Sequence, residues 1–198
     1  MKLDFVHDLQ AVYRKMVDST SRPGQLSSLA REAELYVADN EAVCNPSLFI
    51  IAHTLLDQEV TFKVISAQES LITTMINELT YARPADTKDA DYVFIVGDAE
   101  TGSLQEAISS ANPGTLSDPH QSATIIAEVD KLAINGPLTL TGPGIQTSVS
   151  VTVSTPEHWV NSRQEKNKEY PLGIDLMFID ASHQLLSLPR TTQITELG

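Results

Sequence analysis

Residues 92–96, Tyr-Val-Phe-Ile-Val, are apolar at five consecutive positions, with Asp91 before them and Gly97-Asp98 after. A strand with one wet face alternates polar and apolar residues. A short strand with no polar position needs cover on both faces. This run therefore restricts the chain to architectures in which a sheet lies between two layers.

The flanking segments supply those layers. Leu3, Val6, Leu9, Val12, Tyr13, Met16 and Val17 recur at spacings of three and four and predict a helix, stopped by Ser19 to Gly24. Residues 30–37 read as a second helix. Pro46 fits the first turn of a third, capped by Asn45 and running to about Leu55. Val60 to Ser66 alternates like a strand. Gln68 to Tyr81 places Leu71, Ile72, Met75, Ile76 and Leu79 on one helical face, ended by Arg83-Pro84. Ser103 to Ser110 is a short helix closed by Asn112-Pro113-Gly114. Ala123–Val129, Leu138–Leu140 and Val149–Val153 read as strands, and Pro156 to Asn167 as a helix that Thr155 could cap. Ile174–Ile179 and Leu185–Leu188 form a hairpin around Ala181 to Gln184. Helices and strands alternate, so the expected fold is α/β and three-layered, a mixed sheet with helices on both faces. No repeat and no low-complexity linker divides the sequence, so residues 1–198 are expected to form a single domain.

The chain carries 26 acidic and 13 basic residues, a formal charge of −13. The halves are similarly acidic, −7 for residues 1–99 and −6 for residues 100–198. Such a balance argues against a phosphate-gripping nucleic-acid surface and leaves room for a small anion only where the few Arg and Lys residues gather locally. Asp4, His7 and Asp8 interrupt any apolar leader, and the apolar runs Leu48–Ala52 and Tyr92–Val96 are far short of a membrane helix. The expected location is the cytoplasm, with no membrane association. Cys44 is the only cysteine, which precludes an intrachain disulfide.

Common catalytic signatures are missing: no G-x-x-x-x-G-K-[ST], G-x-G-x-x-G, H-E-x-x-H or G-x-S-x-G. His7, His53, His120, His158 and His183 lack metal-ligand spacing, so no metal site is expected. His53 reads as a core histidine of an apolar helix. Cys44 lies near a helix start but has no matching base and reads as an inert thiol.

Three stretches stand out. In Leu138 to Ile145 (LTLTGPGI), Gly142 and Gly144 bracket Pro143 after a strand, forming either a plain turn or a close backbone approach to a ligand. In Tyr170 to Leu176 (YPLGIDL), Asp175 falls within a strand, where a buried acid is an ion-pair member or a site residue. In Leu188 to Thr192 (LPRTT), Arg190 beside Thr191 and Thr192 is either an anion clamp or a surface arginine.

These three stretches, in this order, resemble the PhnH family of the bacterial carbon–phosphorus lyase system for phosphonate breakdown. Weaker echoes are the arginine-bearing first helix followed by Pro23-Gly24, Leu55-Leu56-Asp57, and Gln121 to Thr124; the acidic stretch Ala85 to Asp91 departs from the pattern. The resemblance implies the fold of the large domain of pyridoxal-phosphate-dependent transferases without the cofactor. It also implies a homodimer that joins PhnG-, PhnI- and PhnJ-like subunits in a core complex, with a PhnL-like protein acting alongside. The resemblance further implies that this complex, with the PhnL-like protein, attaches phosphonate to the ribose of ATP with loss of adenine. The family offers no established catalytic residue to carry over. Gly142, Gly144, Asp175, Arg190, Thr191 and Thr192 are family markers with a ligand-binding or partner-docking role as a hypothesis. Pyridoxal phosphate is not expected, because Lys131, beside Asp130 in a turn, is the only suggestively placed lysine and reads as a solvated one. Three function readings follow: a non-catalytic or assisting subunit of the lyase complex; an independent enzyme or binding protein for a small phosphorylated ligand on a transferase-like fold; or an orphan homodimer with only a structural role, such as keeping a partner soluble.

Overall fold

A computed structural model describes residues 6–37 and 43–196. The order is α1 (His7–Ser21), β1 (Ser27–Ser28), α2 (Ala30–Val37), α3 (Pro46–Leu55), β2 (Thr61–Ile65), α4 (Glu69–Thr80), β3 (Arg83–Pro84), β4 (Tyr92–Ile95) and α5 (Ser103–Ser110). Then come β5 (Thr124–Val129), β6 (Lys131–Thr141), β7 (Val149–Ser154), α6 (Val160–Lys166), β8 (Asp175–Asp180), β9 (Gln184–Leu188) and β10 (Gln193–Glu196).

Seven strands form a mixed sheet in the order β1-β9-β8-β5-β4-β2-β3. Strands β8, β5, β4, β2 and β3 run parallel, and β9 returns antiparallel to β8. The apolar run lies at the centre, with Phe94 paired to Ile126 on one side and Val64 on the other. Its side chains divide between two cores. Val93 and Ile95 face one, Phe94 and Val96 the other, and the exposure of each is 5% or less. That two-sided burial is why no polar residue interrupts the strand.

Helices α1 to α4 cover the Phe94 face through Val12, Met16, Leu48, Phe49, Ile72 and Ile76. The other face carries α5, α6 and a second, three-stranded antiparallel sheet in the order β10-β6-β7. The expected mixed sheet and helical layers are present, but this second sheet shares one layer with two helices. The sequence concealed it for a local reason. The β6–β7 register breaks between Ile134 and Leu138, so Asn135-Gly136-Pro137 interrupts the alternation and only Leu138–Leu140 reads as a strand. Strand β10 is three-quarters polar because one residue of four, Ile194, is buried.

The helix ends follow local chemistry. Asn45 caps α3, its Oδ1 accepting the Ser47 N–H at 3.0 Å, with Pro46 in the first turn as expected. The expected start of α1 at Leu3 lies outside the described residues. Helix α6 begins at Val160 rather than Pro156, and Thr155 does not cap it. Its hydroxyl donates to the Glu157 carbonyl at 2.6 Å instead, and the Glu157 side chain is drawn away to α5. Among the described residues no helix is long and apolar enough to cross a membrane.

Candidate functional site

The three marker stretches converge at the amino ends of the parallel strands. Asp175 opens β8, in register with Thr124, the first residue of β5. Its Oδ1 accepts the Arg190 backbone N–H at 2.6 Å, and its Oδ2 accepts Arg190 Nη2 at 2.7 Å. Arg190 Nη1 donates to the Pro119 carbonyl at 2.8 Å and is 3.5 Å from that of Pro171. The guanidinium is thus held on a carboxylate and on carbonyls of two loops. An anion clamp needs a free guanidinium face, and here all three nitrogens already have protein acceptors.

Gly142 and Gly144 take left-handed φ values of 128° and 84°. A β-carbon on Gly142 would press on the Thr191 carbonyl, and one on Gly144 would clash with the Ser21 carbonyl. The turn is therefore an intramolecular close approach, joining LTLTGPGI to LPRTT and to the end of α1. Thr191 is half-buried; Thr192 is 1% exposed.

Sequence reasoning missed the residue that completes this cluster. Arg163 of α6 is 2% exposed, donating Nη1 to the Thr192 carbonyl at 3.0 Å and Nη2 to that of Pro189 at 2.7 Å. Burial pulls its pKa down to about 10, partly opposed by the Asp175 charge. Nothing in residue type announces this, since arginine is rarely buried.

A separate crevice lies at the opposite, carboxyl ends of the strands. Helix α4 carries the chain from β2 outward to β3 on one face, and α5 carries it from β4 to β5 on the other. Strand order reverses between β2 and β4, and at such reversals α/β sheets hold their ligands. A cavity of about 530 Å³ opens one strand over from that reversal, between the ends of β4 and β5, lined by residues 95–97 at the end of β4, 127–130 around the end of β5, Asn45, Glu157 and His183. Its charged side chains are Glu100, Glu128, Asp130 and Glu157, and no lysine or arginine lines it among the described residues.

Two of these carboxylates occupy backbone N–H groups that an α/β crevice ordinarily offers to a phosphate. Glu128 accepts Gly97 N–H at 2.8 Å and Asn45 N–H at 3.1 Å. Burial raises its pKa, partly offset by those two donors. Glu157 accepts the N–H groups of Gly102, Leu104 and Gln105 at 3.2, 3.3 and 2.8 Å, where α5 begins. Beside them, burial, then Glu128 and Asp98, push the Cys44 thiol up to about 12, so it stays protonated.

His183, at the tip of the β8–β9 hairpin with φ of 60°, places Nδ1 3.0 Å from Ser47 Oγ and 3.1 Å from Asn45 Oδ1. His53 is half-buried in α3, and burial lowers its pKa. His7, His120 and His158 are exposed. No group of three metal-ligating side chains occurs among the described residues. The described lining does not fit pyridoxal phosphate. It offers no lysine, and Glu157 already fills the helix start that would take the phosphate. Lys131 is exposed at the start of β6.

The fold and the crevice define an α/β protein whose strands end, on their carboxyl side, in an acidic crevice with backbone donors taken by its own carboxylates. Over residues 3–195 the sequence matches the family model described as bacterial phosphonate metabolism protein (PhnH), and the chain belongs to that family. A protein of Stutzerimonas stutzeri named as a C-P lyase subunit, HtxG, is 30% identical over 190 residues, covering 96% of this chain and 87% of the relative. The alpha-D-ribose 1-methylphosphonate 5-triphosphate synthase subunit PhnH of Rhizobium meliloti (strain 1021) is 30% identical over 194 residues, covering 96% and 92%.

Proposed function

We propose that the chain is a subunit of a carbon–phosphorus lyase complex, assisting transfer of phosphonate to the ribose of ATP with release of adenine and not itself catalytic. The observation that carries this reading is the nearly full-length match to a relative named as a subunit of the synthase for that ribose phosphonate product. The crevice supports an assisting role. Four carboxylates and no basic side chain among its described lining disfavour a triphosphate, and positive charge for ATP would come from other subunits. The partners in this reading are PhnG-, PhnI- and PhnJ-like subunits, with a PhnL-like protein, and the chain itself pairs as a homodimer in the cytoplasm. The marker cluster around Asp175 and Arg190 contributes by fixing the shape of the surface that those partners meet.

The test is adenine release from ATP plus methylphosphonate, followed by chromatography. Release is expected with the partner subunits present and not with the pure chain. Adenine released by the pure chain, and abolished by Glu128→Gln, would overturn the subunit reading. It would favour the alternative that the 530 Å³ crevice permits, an independent enzyme or binding protein for a small phosphorylated ligand.

A further inference from the structure

The link between β7 and α6, residues 155–159, crosses the mouth of the crevice. Thr155, Pro156 and Glu157 line the 530 Å³ cavity and also a second cavity of about 300 Å³ on their other side, bounded by Pro137, His158 and Trp159. The segment is thus the wall between two spaces. Its ends are fixed. The Ser154 carbonyl accepts the Asp130 N–H at 3.0 Å, and Trp159 is buried against Phe178 with ring centroids 4.9 Å apart. Between those ends Pro156 and His158 are exposed.

Among the described residues, no backbone-to-backbone hydrogen bond ties residues 155–158 to another element. What ties them is one side chain, the Glu157 carboxylate on three N–H groups at the start of α5, more than 50 residues away in sequence. Helix α5 has no side-chain cap of its own, because its N-cap residue is Gly102. The carboxylate therefore satisfies donors that would otherwise be orphaned, and its charge suits the positive end of the helix.

We propose that residues 155–158 form a strap latched by Glu157, and that releasing this one carboxylate swings the strap aside and joins the two cavities into a single groove across the carboxyl end of the sheet. A strap held by backbone ladders would open only with its element. One held by a single side chain opens locally, at a cost set by the carboxylate's hydrogen bonds. Competition for the α5 donors, or a partner surface that takes up the strap, would release it without disturbing the sheet.

Trp159 is the only tryptophan and sits at the strap's hinge, so it reports the motion. The experiment compares the full-length chain with Glu157→Ala and Glu157→Gln. It reads amide hydrogen exchange at Gly102, Leu104 and Gln105, whose N–H groups the carboxylate holds, together with chymotrypsin cleavage at Trp159 and acrylamide quenching of Trp159. In Glu157→Ala the three α5 amides are expected to exchange about tenfold faster or more, with faster cleavage at the strap, increased quenching and unchanged protection in β5 and β8. Glu157→Gln, with a neutral acceptor, is expected to fall between.

If only the α5 amides speed up while the strap and Trp159 behave as in the unchanged chain, Glu157 is a cap alone and the latch is wrong. Should the variants fail to fold, native-state exchange of the unchanged chain in low urea decides. Strap cleavage and Trp159 quenching that rise together with exchange at the α5 start, below the global transition, support the latch. Their rise only with exchange in β5 overturns it.

Discussion

Asp175 and Arg190 hold each other twice, once through the side chains at 2.7 Å and once through the arginine's own backbone N–H at 2.6 Å. The carboxylate thus fixes where the chain turns out of β9 as well as the direction of the guanidinium. Both side chains are more than two-thirds buried, so the pair is screened less than a surface ion pair.

Removing either partner leaves a charge facing carbonyls or loops alone. Arg190→Ala and Asp175→Asn are each expected to destabilise by about 2–3 kcal/mol, and the double variant by clearly less than their sum. Urea denaturation of the four proteins measures the coupling. A coupling near zero would mean that the pair contributes nothing as a pair.

Arg163 is expected to tolerate an uncharged isostere better than a truncation. Both Arg163→Met and Arg163→Ala remove the buried charge and its bonds to the Pro189 and Thr192 carbonyls, but Arg163→Met keeps most of the packing volume whereas Arg163→Ala also leaves a cavity. Thermal unfolding should rank Ala below Met by about 1–3 kcal/mol. The reverse order would show that a methionine side chain does not fit the space and that the site closes over a truncation.

Glu128 sets a pH dependence whose sign is fixed by its raised pKa. The folded protein binds this proton more tightly than the unfolded chain does. Its contribution is therefore fully present below the ordinary value of 4.5 and is lost as pH rises through the higher folded value. Glu128→Gln cannot titrate there. The unchanged protein should lose stability relative to Glu128→Gln as pH rises above 4.5, read from denaturation midpoints across that range. A flat difference would show that the two N–H donors fully offset the burial.

Two glycines separate strain from space. Gly102 has φ of 101° with no atom within 4 Å of a β-carbon, whereas Gly144 has φ of 84° and faces the Ser21 carbonyl. Gly102→Ala is expected to cost about 1 kcal/mol from backbone strain alone. Gly144→Ala adds a clash with backbone that only moves if α1 moves, and is expected to cost about 2–4 kcal/mol. Equal costs would show that the Ser21 contact relaxes freely.

The sequence alone determined the central strand, the six helices, the β8–β9 hairpin and the layered class, because each is written in local periodicity: 3.6 residues for a helix, 2 for a strand, and none for a strand covered twice. It also pointed to the family, since LTLTGPGI, YPLGIDL and LPRTT lie in order along the chain. Tertiary structure decided the rest. The second sheet depends on pairing between β6, β7 and β10 at a register that local alternation does not encode. Arg163 is buried only because α6 docks over Pro189 and Thr192. The crevice depends on Glu128 and Glu157 meeting N–H groups 31 to 83 residues distant, and an isolated glutamate in a sequence looks like any solvated carboxylate. Periodicity is a property of neighbours, whereas a carboxylate's partner is a property of the folded sheet end that brings remote strands and helix starts together.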